Sequence, residues 1–139
     1  MRAVLLYFFS NKDAIKELKM KAFKIDPEKN IEKDELISNN VAVANNFFSR
    51  LFGLIFRRKL RNGNSLLIEN CKGIHTFWMM YNIDVIFLDK NNKAISIFCN
   101  IRPFKIIPFI KNTSKVLELR SGSVEATSLK AGDLMYFEN

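Results

Sequence analysis

With 139 residues, of which 48% are hydrophobic and 26% are charged, the chain can form one domain with a substantial core, which excludes a largely disordered protein. Two cysteines are too few for a disulfide scaffold, and no run reaches the roughly 18 apolar residues of a membrane span. The formal net charge of +8 favours an anionic partner or surface, although charge also keeps a basic protein in solution.

The N-terminal part begins with an apolar run and continues with charged residues. Residues 3–9 are rich in β-forming side chains, which predicts a buried strand. The run is too short for a secretory signal and lacks a cleavage site of small residues, so we expect the protein to be cytoplasmic. Residues 10–13 resemble a capping box, and the apolar side chains that follow at helical spacing predict a helix that ends before Pro27.

A polar, charged stretch at residues 26–40 predicts a linker or a weak helix. We place a domain boundary at its end, between a strand-helix extension with a charged linker (residues 1–40) and a β domain (residues 41–139). In the second unit, short apolar runs between turn residues predict mostly strands. Strands are expected at residues 41–44, 65–68, 74–79, 85–88, 94–98, 115–119 and 134–137, and helices at 47–55 and 123–127.

These elements predict an α+β fold that is mostly β, namely a compact antiparallel sheet or small barrel with two or three peripheral helices. One connection, residues 89–93, is expected to be a hairpin loop in which an asparagine takes the positive-φ position. The chain contains no internal repeat.

The loop over residues 100–114 is unusual in its composition. It combines two prolines and three basic residues with six large apolar side chains. Because solvated loops are rarely this apolar, we expect part of it to cover the core or to line a cleft. The alternative is a peripheral membrane or assembly adaptor, which would present these side chains at its surface.

The stretch over residues 71–89 contains the only histidine, His75, and the only tryptophan. On a straight strand, Cys71 and His75 would lie about 13 Å apart, too far for a thiolate–imidazole pair. Cys71, His75 and Cys99 are the only soft metal ligands, and their spacing matches no zinc motif, so we predict neither a metal nor another cofactor. We interpret His75 as a polar residue at the core or its rim that hydrogen-bonds a carboxylate.

Asp84 stands in an apolar run, where an unpaired buried charge would be costly. It either faces outward or pairs with a cation, for which the candidates are Arg50, Arg57 and Arg102. One interpretation is an ion pair that pins a loop to the sheet, and Glu118 could join such an arrangement. The other is a small polar cleft that binds a ligand and is lined by Arg50, His75, Thr76, Asp84 and Arg102.

Seven sequence blocks follow one another in an order and spacing that identify a family. They are residues 47–60, 65–68, 71–79, 83–89, 102–103, 116–119 and 132–133. Together they resemble the DUF192 family, also called UPF0127, of small bacterial and archaeal proteins. The motifs Cys-x-x-Ile-His-Thr-x-x-Met and Ile-Asp-Val-x-Phe-Leu-Asp resemble its shorter branch. The resemblance spans residues 41–138 and implies a small, largely β domain with peripheral helices. It implies no activity, because the family has no established biochemical function.

Three functional hypotheses follow from these patterns. The leading one is a non-enzymatic module that binds a small anionic ligand or a protein partner in the polar cleft. The rival is an enzyme that uses His75 with Asp84, with or without a metal, and the third is the adaptor that uses residues 100–114. Basic residues among aromatics can also bind nucleic acid, but here the aromatics fall at core spacing and no nucleic-acid motif is present, so this class is not favoured.

Overall fold

Nine strands and one short helix make up the described part of the molecule. The computed structural model describes residues 16–26, 34–44 and 60–139. The strands are β1 (Lys16–Lys24), β2 (Glu35–Ala44), β3 (Asn64–Glu69), β4 (Ile74–His75), β5 (Ile83–Leu88), β6 (Ala94–Ile101), β7 (Ile106–Ile107), β8 (Lys115–Arg120) and β9 (Met135–Glu138), and the helix is α1 (Ser123–Ala126).

Seven of the strands form one sheet in the order β6-β5-β8-β3-β2-β1-β9, and β4 pairs with β7 in a separate two-stranded sheet. The pairings are antiparallel except for β2 with β3, which is parallel. The starts of the edge strands β6 and β9 approach each other, because Lys93 bridges Leu134 and the Ala94 N–H donates to the Asp133 carbonyl at 2.8 Å. The large sheet is therefore curled into a half-barrel.

Both faces of the curled sheet are covered by apolar side chains. On β8, Leu117 belongs to the apolar cluster on one face of the sheet, which we call the first cluster and to which α1 contributes Val124. The neighbouring Val116 belongs to the apolar cluster on the other face, which we call the second cluster. All six residues of β5 are buried for this reason, so its sequence is an apolar run without alternation. The small sheet of β4 and β7 packs on the second cluster through Ile74 and Ile107.

The helix predicted to end before Pro27 is wrong over residues 16–24, which form β1. Met20 and Ala22 pack on the first cluster while Lys21 between them is exposed, which is the two-residue alternation of a strand. β1 pairs with β2 on one side and with β9 on the other. These two partners decide the conformation, because the same apolar residues also satisfy a helical spacing.

The linker predicted for residues 26–40 is wrong from Glu35 onward, where β2 begins. This strand runs across residue 40, the predicted domain boundary, to Ala44. Its parallel pairing with β3 also corrects the prediction of an antiparallel sheet at this point. The physical reason is the long connection over residues 45–63, since parallel neighbours need a crossover of a dozen or more residues.

The remaining predicted elements that fall on described residues are largely confirmed. β3, β5, β6, β8, β9 and α1 are present, and Asn92 in the hairpin loop has a φ of 64°. Of the strand predicted at 74–79, only the first two residues pair, as β4. The two or three predicted helices are not supported, since α1 is the only helix in the described ranges; the strand predicted at 3–9 and the helix predicted at 47–55 lie outside them. No helix in the described ranges is long and apolar enough to cross a membrane.

Candidate functional site

The two-stranded sheet of β4 and β7 has one buried side and one exposed side. Its register pairs Ile74 with Ile107 and His75 with Ile106. Ile74 and Ile107 are buried, whereas Ile106 is 63% exposed. Gly73 permits the close approach of the two segments, because a Cβ there would lie 2.9 Å from the Ile107 carbonyl oxygen. Strand alternation therefore turns His75 and Ile106 away from the core.

Thr76 is buried and anchors residues 102–105, which precede β7, through hydrogen bonds. Its Oγ1 donates to the Arg102 carbonyl at 2.8 Å and accepts from the Lys105 N–H at 2.9 Å. Its own N–H donates to the Lys105 carbonyl at 2.8 Å, and its carbonyl accepts from the Phe104 N–H at 3.0 Å. Four hydrogen bonds thus hold residues 102–105 in one position beside β4.

A row of aromatic rings lies beside His75. The Phe77 ring stacks on the His75 ring at 5.4 Å between centroids, and it contacts Trp78 at 5.8 Å and Phe104 at 6.4 Å. Trp78 is 60% exposed and Phe104 is 62% exposed. Both have a left-handed backbone, with φ of 60° and 59°. Bulky residues rarely adopt this conformation, which costs about 1–3 kcal/mol at each position and must be imposed by the surrounding structure.

Exposed apolar and basic side chains lie side by side in this part of the molecule. We call the exposed face of residues 72–78 and 102–109 the aromatic–basic surface. It includes Phe109, which is 64% exposed and whose ring centroid lies 5.5 Å from the Lys72 Nζ atom. The two segments contain three lysine or arginine residues and His75, but no aspartate or glutamate. The surface is therefore apolar and positively charged at the same time.

Asp84 is buried, and no arginine of the described ranges forms an ion pair with it. Its Oδ1 accepts from the Asn100 N–H at 2.8 Å, and its Oδ2 accepts from the Val124 N–H at 3.0 Å. The carboxylate therefore joins the end of β6 to the first turn of α1. On β5 it alternates with Val85, so it lies on the same face as Ile86 and the first cluster.

Neither cysteine forms a disulfide. The Cys71 thiol donates to the Gly73 carbonyl at 3.0 Å, and Cys99 lies exposed on β6. Partial burial of the sulfur, followed by the nearby carboxylates of Asp84 and Glu125, raises the pKa of the Cys99 thiol. Within the described ranges, no three side chains of His, Cys, Asp or Glu gather closely enough to hold a metal ion.

Glu118 is a buried carboxyl group in apolar surroundings. On β8 it pairs with Leu66 of β3 and Val85 of β5, two members of the second cluster. Its Oε2 has no hydrogen-bond partner among the residues that the structure describes. Burial raises the pKa of Glu118 to about 8, so the group is mainly protonated at neutral pH.

The structure brings only some of the predicted cleft residues together. His75 and Thr76 are neighbours in sequence, and Thr76 contacts the Arg102 backbone, while the Arg102 side chain is exposed. Asp84 lies on the other face of the large sheet, and Arg50 lies outside the described residues. The His75 Nδ1 atom is buried without a hydrogen-bond partner in the part of the chain that is described.

Sequence reasoning did not assign the exposed aromatic residues to a site. The sequence predicts that part of residues 100–114 covers the core or lines a cleft, with exposure only under the adaptor hypothesis, and it predicts a strand at Trp78. One signal was available, namely that neither segment of the aromatic–basic surface contains a carboxylate. Neighbouring acidic residues would be expected if the basic side chains served only to form ion pairs.

The curled seven-stranded sheet and the small outer sheet together define a half-barrel β domain. The model of the DUF192 family, described as "Uncharacterized ACR", matches residues 28–137. The chain belongs to this family, as the sequence motifs predicted.

Two relatives agree with this assignment. A UPF0127 protein of Pyrococcus furiosus is 28% identical over 107 residues, which cover 75% of this chain and 91% of the relative. A UPF0127 protein of Pyrococcus abyssi is 30% identical over 99 residues, which cover 67% of this chain and 81% of the relative.

Two crystal structures share the fold. One, from Sinorhizobium meliloti, is described as a candidate transcription regulator; it has a TM-score of 0.75 and 20% identity, over 88% of this chain and 95% of that chain. The other, a protein of unknown function from Novosphingobium aromaticivorans, has a TM-score of 0.69 and 17% identity, over 84% of this chain and 83% of that chain. At these identities the likeness concerns the fold alone.

Proposed function

We propose that the protein is a cytoplasmic, non-enzymatic domain that binds an anionic partner through the aromatic–basic surface. One observation carries the proposal: large apolar side chains are exposed beside cations, on two segments without a carboxylate. Exposed apolar groups that lie together on a folded protein mark binding sites. Cations without neighbouring anions favour a negatively charged partner.

The residues predicted for a polar cleft have different parts in this proposal. Arg102 supplies charge at the surface, and His75 forms the half-buried end of the aromatic row. Thr76 and Asp84 are positioning residues, because their side-chain oxygens are engaged by backbone groups. Arg50, outside the described residues, stays a predicted contributor of charge.

The enzyme hypothesis gains no support from the geometry. Both Asp84 oxygens accept backbone amides, and no hydrogen bond joins Asp84 to His75 in the described ranges. A general base must reach the proton that it abstracts, and it needs a group that orients it. An acid–base pair of these two residues is therefore not part of the proposal.

The test compares two double variants that lose the same charge. Arg102→Gln with Lys105→Gln removes two of the three cations of the aromatic–basic surface, whereas Lys90→Gln with Lys130→Gln removes two lysines that are exposed elsewhere. On immobilised heparin, a polyanion, the first double variant should elute at a lower salt concentration than the second, because it loses the specific surface. Equal elution of the two double variants would overturn the proposal, since net charge alone would then explain retention.

A further inference from the structure

We propose that the anionic partner is the surface of an anionic lipid bilayer, with Trp78, Phe104 and Phe109 seated among the headgroups. This inference rests on the binding function proposed above and names the class of its partner. It concerns peripheral attachment, in which a folded domain lies on the membrane and does not cross it.

The chemistry of the exposed side chains favours lipid over nucleic acid. Trp78 has an apolar body with one N–H group, which suits the boundary between headgroups and hydrocarbon. Ile106, on the same face as His75, is aliphatic and has no π-face on which a base could stack. A bilayer accommodates both kinds of side chain, since tryptophan suits the headgroup boundary and aliphatic groups suit the adjoining hydrocarbon.

Several backbone N–H groups at this surface are already hydrogen-bonded within the protein. The backbone N–H groups of Thr76, Phe104 and Lys105 all donate to oxygen atoms of Thr76 or Lys105, so these N–H groups do not need water when the surface is covered. The left-handed conformations of Trp78 and Phe104 already hold their side chains outward. Little conformational entropy is therefore lost when the surface meets a membrane.

The charge of the surface matches an anionic headgroup layer. Lys72, Arg102 and Lys105 are exposed on the same segments as the apolar side chains, and the Lys72 ammonium lies against the Phe109 ring. Basic residues next to inserted aromatic residues combine attraction to anionic lipid with burial of apolar area. Because both segments lack carboxylates, neither segment contributes negative charge that would oppose this attraction.

The experiment uses the whole chain with two kinds of vesicle, equal parts of phosphatidylcholine and phosphatidylglycerol, or phosphatidylcholine alone. Trp78 is the only tryptophan and reports directly on insertion. At low salt, we expect co-sedimentation with the anionic vesicles together with a blue shift of the Trp78 emission. Both should weaken on neutral vesicles or at high salt.

A matched pair of variants locates the contact. Phe104→Asn removes an inserted ring and suits the left-handed backbone, while Leu134→Asn removes an exposed apolar side chain beside the end of β1. Phe104→Asn should weaken partition by about tenfold, and Leu134→Asn should leave it unchanged. Equal partition of the two variants would overturn the inference.

Failure of this inference is distinguishable from failure of the proposed function. If anionic vesicles do not bind at low salt while heparin retention still depends on Arg102 and Lys105, the lipid assignment is wrong and the binding surface stands. If a single-stranded oligonucleotide quenches Trp78 and vesicles leave its emission unchanged, the partner is a nucleic acid and the lipid assignment is again overturned.

Discussion

The central strand β5 and the outer strand β7 with its flanking loops are both rich in large apolar residues, but they use them in opposite ways. β5 buries all six of its residues between two apolar clusters. Around β7, Phe104, Ile106 and Phe109 are mostly exposed, and only Ile107 is buried in the second cluster. Exposed apolar side chains contribute little to folding, so their presence indicates a role that begins after folding.

The two regions also differ in where they hold acidic groups. The large sheet buries Asp84 under two amide donors and buries Glu118 in an apolar cluster. The aromatic–basic surface contains no acidic residue. The core thus tolerates carboxyl groups that are neutral or hydrogen-bonded, while the surface keeps its positive charge uncompensated.

Substitution of one phenylalanine in each region should give the largest difference in the free energy of unfolding. Phe87→Ala removes a fully buried ring from β5 and should lower the free energy of unfolding by about 3–5 kcal/mol. Phe109→Ala removes a mostly exposed ring and should change stability by about 0.5 kcal/mol or less. Urea denaturation of both variants measures the difference, and similar losses would mean that the outer loop belongs to the core.

The titration of Glu118 should change the free energy of unfolding by a comparable amount. Burial raises the pKa of Glu118 from its ordinary 4.5 to about 8. The folded protein therefore holds a proton that the unfolded chain releases between these two pH values. Because the pKa is raised on folding, this contribution is complete below pH 4.5 and is lost as the pH rises to 8. The free energy of unfolding should fall over this window by about 1.4 kcal/mol per pH unit.

Two variants distinguish the contribution of Glu118 to this pH dependence from the contributions of other carboxyl groups. Because Glu118→Gln cannot titrate, its free energy of unfolding should no longer fall over this pH window. Glu138 is exposed on β9, so Glu138→Gln should show the same fall as the unmodified protein. Urea denaturation at several pH values provides the profiles. Parallel profiles for the unmodified protein and Glu118→Gln would show that the buried carboxyl group is ionised in the folded state.

Loss of the Thr76 hydroxyl should lower stability less than loss of the Phe87 ring, but it should also weaken binding. Thr76→Val removes the hydroxyl that binds Arg102 and Lys105, and it should cost about 1–3 kcal/mol, because buried backbone groups lose a partner. It should also lower the salt concentration at which heparin releases the protein. Thr76→Ser keeps the hydroxyl and serves as the control. If both variants bind as the unmodified protein does, the loop needs no fastening.

Elements with one dominant pattern were predictable, and those with two compatible patterns were not. The short, mainly apolar run of β8 predicts a strand with bounds close to those observed. β1 was predicted as a helix, because its apolar residues fit both a helical and a strand spacing, and only pairing with β2 and β9 distinguishes them. Burial of Asp84 was one of two alternatives, but its partners are backbone amides contributed by β6 and α1, which no local sequence pattern reveals.

The sequence by itself determined the family, the mostly β fold and the region of interest over residues 71–89, because these depend on local composition, motif spacing and short-range periodicity. Only the tertiary structure decided which side of each strand is covered. That decision buries Glu118 and exposes Phe104, since burial depends on which distant strand packs against each face. The aromatic–basic surface exists for the same reason: the register of β4 with β7 turns Ile74 and Ile107 inward and leaves His75 and Ile106 outside.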